Sequence, residues 1–245
     1  MSSDLVVKHK GTPRVSMSNE LTRSAHRLSL NEKRIIAYSI SKLDSRAAIS
    51  EDHRRVRIRV KDFIDDFELY TDHSLYKKMQ KSCATLMDRK LTLFTTNSRG
   101  NKDSIEFRWV DEAIYTEGEG EIELKFSERI APHLLELSNS FTSYHLAQAS
   151  GLRSMASWRL LELLMQFKDT KRLRIPIADL HHAMEASPTS QKRFSNFKQS
   201  ILKPAIAELE TQEALRVNMK TILDKRKVIA VEFTFEPCPQ RVLDI

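Results

Sequence analysis

Residues 55–63 read RVRIRVKDF, and residues 172–180 read RLRIPIADL. Arg55 answers to Arg172, Arg57 to Arg174, Ile58 to Ile175 and Asp62 to Asp179, with apolar residues facing apolar ones between them. In the first stretch Val56, Ile58 and Val60 alternate with arginines, the period of two that marks a strand with one buried face. The paired nonapeptides raise the possibility of one small module written twice, and the flanking sequence decides the matter.

Upstream of the first stretch, SLNEKRIIAYSISKLD opens at Ser29 with a capping box to Glu32, which satisfies free N–H groups at a helix start. Ile35, Ile36, Ile40 and Leu43 then recur at helical spacing. Downstream, KDFIDDF reads as a short helix, and residues 74–89 as a second with Leu75, Met79, Cys83 and Leu86 inward. LTLFTT and IEFRWV read as strands joined by the polar turn NSRGNKD, and EIELKF as a third strand after the acidic turn TEGEGE. The second half repeats this order. MASWRLLELLMQF is a helix, RLRIPI a strand, ADLHHAM a short helix and 191–210 a longer one; LRVNM and VIAVEFTF are strands joined by KTILDKRK. Helix, strand, helix, helix, strand, wing, strand is the order of a winged helix, whose third helix enters a DNA major groove while the hairpin touches the backbone. The expected fold is α+β, two tandem winged-helix domains related by internal duplication. Residues 1–13 read as a flexible N-terminus, 14–130 as the first domain and 131–245 as the second, with the boundary near Pro132.

Bulk properties fit such a chain. Its 245 residues carry a net charge of +7, which points toward a polyanionic partner, and both halves share the excess. Five glycines leave no phosphate-cradling loop, and no Walker-type motif is present. Cys83 and Cys238 belong to no metal spacing and read as free thiols of a reducing cytosol. No signal peptide and no run of 18 apolar residues is found, so a cytoplasmic location without membrane contact is expected. His181 and His182 are adjacent on a short helix, where side chains diverge by about 100° and cannot chelate one metal together. No HxH pair serves a nicking nuclease. Neither catalysis nor a cofactor or metal is expected, and Trp109 and Trp158 read as core.

The chemistry concentrates on 191–210. At about 100° per residue, Phe194, Phe197, Ile201, Ala205 and Leu209 share the core arc. Lys192, Asn196, Gln199, Ser200 and Lys203 share the opposite one, with Arg193 beside them and Lys198 at the edge, its stem snorkelling toward a phosphate. Lysine and arginine neutralise phosphates, whereas asparagine and glutamine pair with a base edge through donor and acceptor together. Pro204 predicts a kink near 200–203. Lys225, Arg226 and Lys227 form a second cluster on the expected wing. In the first half, Lys77, Lys78 and Lys81 offer cations without amides, the composition of phosphate positioning, and Arg99 and Lys102 lie at the tip of the other expected wing. On the residues alone, a winged-helix transcription regulator binding an operator stays open beside an origin-binding protein.

Three segments in this order resemble one family: SNELTRSAHRLSLNEKRIIAYSISKL (18–43), FTSYHLAQASGLRSMASWRLLELLMQF (141–167) and FSNFKQSILKPAIAEL (194–209). Together they are similar to the iteron-binding replication initiators of theta-replicating bacterial plasmids, over about residues 14–236. One departure is Glu208-Leu209-Glu210, where the family commonly has Glu-Ile-Asn. The resemblance implies two winged-helix domains that bind direct repeats, the iterons, in the plasmid origin. It implies a second domain that reads the major groove and a first that adds backbone contacts in monomers and forms the interface of homodimers. It further implies monomers that promote melting with the host replication initiator and load the replicative helicase, and dimers that repress the initiator's own promoter. Carried onto matching positions, the recognition helix is Lys192 to Lys203, with Lys198 at the family's basic position, and the wings are 97–103 and 224–227.

Overall fold

A computed structural model describes residues 13–70, 74–96, 98–116, 120–212 and 214–238. The expected flexible N-terminus, apart from Pro13, and most of the acidic turn after Thr116 lie outside them. The first half runs β1 (Arg14–Ser18), α1 (Asn19–Arg23), α2 (Leu30–Lys42), β2 (Arg55–Arg59), α3 (Val60–Phe67), α4 (Leu75–Leu86), β3 (Lys90–Thr96), β4 (Lys102–Arg108), β5 (Val110–Thr116) and β6 (Glu121–Phe126). The second runs β7 (Phe141–His145), α5 (Ala147–Ser150), α6 (Met155–Met165), β8 (Arg172–Pro176), α7 (Ile177–Ala183) and α8 (Pro188–Lys192), then α9 (Phe194–Phe197). A π-helical turn (Lys198–Leu202) follows, then α10 (Lys203–Thr211), β9 (Arg216–Asp224) and β10 (Lys227–Glu236).

The two nonapeptides occupy equivalent places. Three antiparallel strands are ordered β2-β6-β5 in one sheet and β8-β10-β9 in the other. Val56 and Ile58 pair with Leu124 and Ile122, while Leu173 and Ile175 pair with Phe233 and Val231, all buried. The intervening positions face outward, Arg57 opposite Glu123 and Arg174 opposite Glu232. The repeat also extends upstream: each copy opens with a strand, a short helix and a serine-capped helix. The two opening strands pair with each other, β1 with β7, antiparallel.

Ser29 and Glu32 form the expected capping box of α2, and Glu32 continues to Thr85 and Arg89, fastening α2 to the end of α4. Burial alone raises the Glu32 pKa, but the donors from Thr85, Ser29 and Arg89 outweigh it and hold the carboxyl below its ordinary value. In the second copy Ser154 caps α6, accepting from Ser157 N–H. Every residue of α6 from Ser157 to Met165 is buried, Arg159 and Glu162 included. A helix apolar or enclosed on all sides belongs to the interior, and α6 packs against α10, α1 and β7. Trp109 and Trp158 are fully buried core residues.

Two expectations about strands are corrected. The stretch IEFRWV is not one strand: the chain turns at Trp109, whose N–H donates to the Arg89 carbonyl and whose carbonyl accepts from Ser127, and β5 begins at Val110. Anchoring a fully buried indole at this corner redirects the backbone. As a result β3 and β4 form a separate hairpin without a counterpart among the described residues of the second copy. By sheet order, the counterpart of the second wing is β5–β6, and the expected first wing at 97–103 belongs to the additional hairpin instead.

Candidate nucleic-acid interface

The second copy presents its helical face through α7, α8 and the α9–α10 segment. Ser187 caps α8 by accepting from Ser190 N–H, and Pro188 sits in the first turn, where no N–H is needed. At Arg193 the backbone extends (φ −135°, ψ 113°), and the Arg193 carbonyl accepts from Asn196 and Phe197 at 3.0 and 3.3 Å. The single helix expected over 191–210 is therefore corrected. Lys192 closes α8 and Arg193 is the joint, because Ser187–Pro188 starts its own helix and the chain must turn to bury Phe197. The His181 ring meets Phe197 edge-on at 4.6 Å, supporting the new helix from below.

A second irregularity follows at the position where a kink is expected. Lys203 N–H reaches the Lys198 carbonyl, the wide i→i+5 spacing of a π turn. Pro204 has no N–H to offer Ser200, so the tighter ladder cannot continue through it. The extra residue shifts the core register. Phe197 is followed by Leu202, five positions on, and then by Ala205 and Leu209, all essentially fully buried. Ile201, expected in the core stripe, is only partly buried. The other members of the stripe hold, with Phe194 partly buried against the core.

The opposite face carries the expected polar set. Asn196, Gln199, Ser200 and Lys203 are exposed, and Lys198 is half-buried. Ser200 Oγ donates to the Asn196 carbonyl at 2.7 Å, so this hydroxyl is oriented by its own helix. Asn196, Gln199 and Ser200 meet Thr189 and Ser190 of α8 around an open cavity of about 350 Å³. The two α8 hydroxyl residues were not among the sequence candidates; their signal was the Ser187–Pro188 helix start, which aims α8 at this face. Five uncharged donor-acceptor groups flanked in sequence by Lys192, Arg193 and Lys203 can pair with base edges while cations hold phosphates.

The second wing is tighter than expected. Asp224 pairs with Lys227, leaving only Lys225 and Arg226 in the turn, and Lys225 adopts a left-handed φ of 54°. KTILD belongs to β9, not to a loop. All three wing-tip cations are exposed.

Charge pairing separates this surface from the first sheet. On the first sheet, Arg55 contacts Glu51, Glu112 and Glu123, Arg57 contacts Glu121 and Glu123, and Arg59 contacts Glu121. Lys125 contacts Glu51 and Glu112. These hydrogen bonds hold Glu51 and Glu112 below the ordinary carboxylate range. The acids of this hairpin therefore neutralise the β2 arginines. Among the described residues, no carboxylate lies within ion-pair distance of Lys192, Arg193, Lys198, Lys203, Lys225, Arg226 or Lys227. The α8–α10 face and its wing therefore carry uncompensated positive charge, which favours a polyanion there.

In the first copy, α4 buries Leu75, Met79, Cys83 and Leu86 and exposes Lys77, Lys78 and Lys81. Burial pushes the Cys83 thiol up to about 12, so it is an inert core thiol. Arg99 is exposed at the β3–β4 tip, and Lys102 opens β4 opposite Thr96. That hairpin touches both copies: Thr92 bridges Ala25 of the first, and the Phe94 ring meets His182 of the second at 5.2 Å. His181 and His182 thus serve two different packing contacts. Among the described residues no group of three potential ligands could hold a metal, and no helix is long and apolar enough to cross a membrane.

At the far end of the recognition segment, Glu208 accepts from Arg153 N–H at 2.6 Å and from the Ser157 hydroxyl, so its carboxylate sits at the N-terminus of α6. Burial raises its pKa, but these donors prevail and hold it below the ordinary value. The sequence departure at 208–210 leaves this anchor intact.

Comparison with known proteins fits this architecture. Residues 14–165 match the family described as "Initiator Replication protein, WH1", and residues 176–235 match "Initiator Rep protein, WH2". A solved structure titled "Crystal structure of Pi initiator protein in complex with iteron DNA" shares the fold with a TM-score of 0.77. Its identity is 21%, over 91% of this chain and 97% of that one. An uncharacterized 27.6 kDa protein of Escherichia coli is 27% identical over 210 residues, 82% of this chain and 87% of its own. The PI protein of Escherichia coli is 23% identical over 247 residues, 89% of this chain and 80% of its own. Two family models covering most of the chain, on a duplicated winged-helix architecture, make it a member of the initiator replication protein family, built of the two winged-helix domains WH1 and WH2.

Proposed function

We propose that the protein initiates plasmid replication by binding direct repeats in double-stranded origin DNA as a monomer. The outer face of α9 and the π turn enters a major groove, with Asn196, Gln199 and Ser200 toward base edges and Lys192, Arg193, Lys198 and Lys203 toward phosphates. Lys225, Arg226 and Lys227 hold the neighbouring backbone. In the first domain, assigned to 14–130 with the second taking 131–245, Lys77, Lys78, Lys81, Arg99 and Lys102 add backbone contacts. Two modules on one face of the duplex reach grooves one turn apart, about 34–36 Å, and linking them makes the second contact intramolecular. The monomer promotes origin melting with the host initiator and loads the replicative helicase; a homodimer represses the initiator's own promoter. The role is binding without catalysis or cofactor, in the cytoplasm.

The observation that carries this reading is the contrast between the neutralised β2 arginines and a cation-and-amide face lacking acid partners among the described residues. The likeness to a protein solved with iteron DNA supports it. Its test is binding stoichiometry on the origin's direct repeats and on an inverted repeat of the same sequence. One protein per direct repeat supports the initiator. Binding only as a dimer, and only to the inverted repeat, replaces it with an operator-binding regulator.

A further inference from the structure

The junction between the copies is built around buried charge. Arg159 of α6 donates to the carbonyls of Thr22 and Ser24, both at 2.7 Å, in the first copy. The same guanidinium donates to the Ala183 carbonyl of α7, in the second copy, at 3.0 Å. It also reaches Glu162 at 2.9 Å, and Glu162 binds Lys33 of α2 at 2.6 Å and the Tyr144 hydroxyl at 3.0 Å. Arg159, Glu162 and Lys33 are essentially fully buried. Buried charges are costly to maintain, and removing one partner is more damaging than an ordinary core change.

A second clasp lies beside it. Glu185, directly after α7, accepts the backbone N–H groups of His26 and Arg27 at 2.7 and 3.0 Å. These residues connect α1 to α2, so the bond joins the α1–α2 loop of the first copy to the end of α7 in the second. Arg27 and Glu185 both hold left-handed backbone, φ 51° and 52°. Non-glycine residues keep that conformation only where their surroundings over-determine it. None of the groups in the clasp belongs to the α9 face or the wing.

Resting on the DNA-binding reading above, we infer that Arg159 and Glu185 are positioning residues that act as a ruler. By holding carbonyls and N–H groups of both copies in one fixed geometry, they set the distance and rotational phase between the two DNA-contacting modules. The chain thereby selects the spacing of the two groove contacts within a bound site. A packed hydrophobic seam tolerates small slides; a fork of hydrogen bonds to fixed carbonyls does not.

The test starts from a duplex selected by the wild-type protein from a random-sequence pool. Derivatives carry about 5 bp inserted between the two footprints, half a helical turn. Wild type is expected to lose about 10²-fold in affinity, the advantage of the linked second contact. Glu185→Ala is expected to lose less than about 10-fold on the same insertion, because a loosened junction follows the displaced groove. Glu185→Gln, which keeps the shape and one acceptor oxygen, is the milder variant and is expected to fall between. A variant that only lowers the folded fraction reduces binding to every duplex equally and leaves the spacing ratio at the wild-type value. That outcome, in either variant, overturns the inference. If the wild-type protein enriches no duplex, the DNA-binding reading itself fails; if it binds but ignores spacing, only the ruler does.

Discussion

Replacing Lys225, Arg226 and Lys227 together by alanine removes three exposed cations that pair with no described carboxylate. Each phosphate neutralised by a protein cation contributes about −0.9 to the slope of log K against log salt. Three lost contacts flatten the slope by about 2.7. Over a fourfold rise in salt, from about 50 to 200 mM, wild-type affinity then falls about 40-fold further than that of the variant. The matched control is Arg57→Ala with Arg59→Ala, whose guanidinium groups already face Glu121 and Glu123. Its slope is expected to stay within about half a unit of wild type. The assay is fluorescence anisotropy on a labelled origin duplex across a salt series. An unchanged slope in the wing variant, or an equal change in the control, refutes the argument that internal pairing decides which cations meet DNA.

Asn196→Ala or Gln199→Ala is expected to cost about 1–3 kcal/mol on the selected site and little on random duplex, measured by competition binding; equal losses on both remove the base-reading role. Lys78→Ala with Lys81→Ala is expected to weaken all duplexes evenly and flatten the salt slope by about two units. Glu208→Ala is expected to lower stability at pH 7 by about 1 kcal/mol in denaturant melts, since Arg153 N–H and the Ser157 hydroxyl lose their acceptor. Because the Glu208 pKa is depressed on folding, its contribution is full above the ordinary carboxylate value of 4.5 and disappears as pH falls below it. The stability of Glu208→Ala is therefore less acid-dependent in that range. His26 is fully buried, and burial, then Arg159 and Lys33, push its pKa well below 6.5. The unfolded chain takes up this proton first, so stability is full above pH 6.5 and is lost as pH falls. His26→Gln is expected to show a flatter melting temperature between about pH 5 and 6.5, and a slope as steep as wild type contradicts the assignment.

The duplicated architecture was legible because alternation in RVRIRV and RLRIPI is short-range physics that survives without context. The capping box at Ser29 and the α4 stripe were legible for the same reason. The break at Arg193 was hidden because Gln191 to Asn196 keeps a helix-compatible pattern while the true start signal, Ser187–Pro188, lies upstream. The π turn was half-visible: Pro204 announced an irregularity, but only packing reveals that Leu202 replaces Ile201 in the core. The separate β3–β4 hairpin depends on the anchoring of Trp109 by Arg89 and Ser127, and the α6 charge cluster on Lys33, Thr22 and Ser24, more than 100 residues away. No local periodicity encodes those. The burial of Arg159 is explained by the carbonyls of Thr22, Ser24 and Ala183, and that of Glu162 by Lys33, Arg159 and the Tyr144 hydroxyl.

The most direct measurement places a photo-activated cross-linker at position 199 on the outer face of the recognition segment, and in parallel at Ile114 on exposed β5. With an origin duplex of direct repeats, position 199 should join a base inside each repeat and position 114 should join none. Cross-linking from 114 alone, or from neither while the duplex is bound, contradicts the claim that the polar side of α9 lies in the groove.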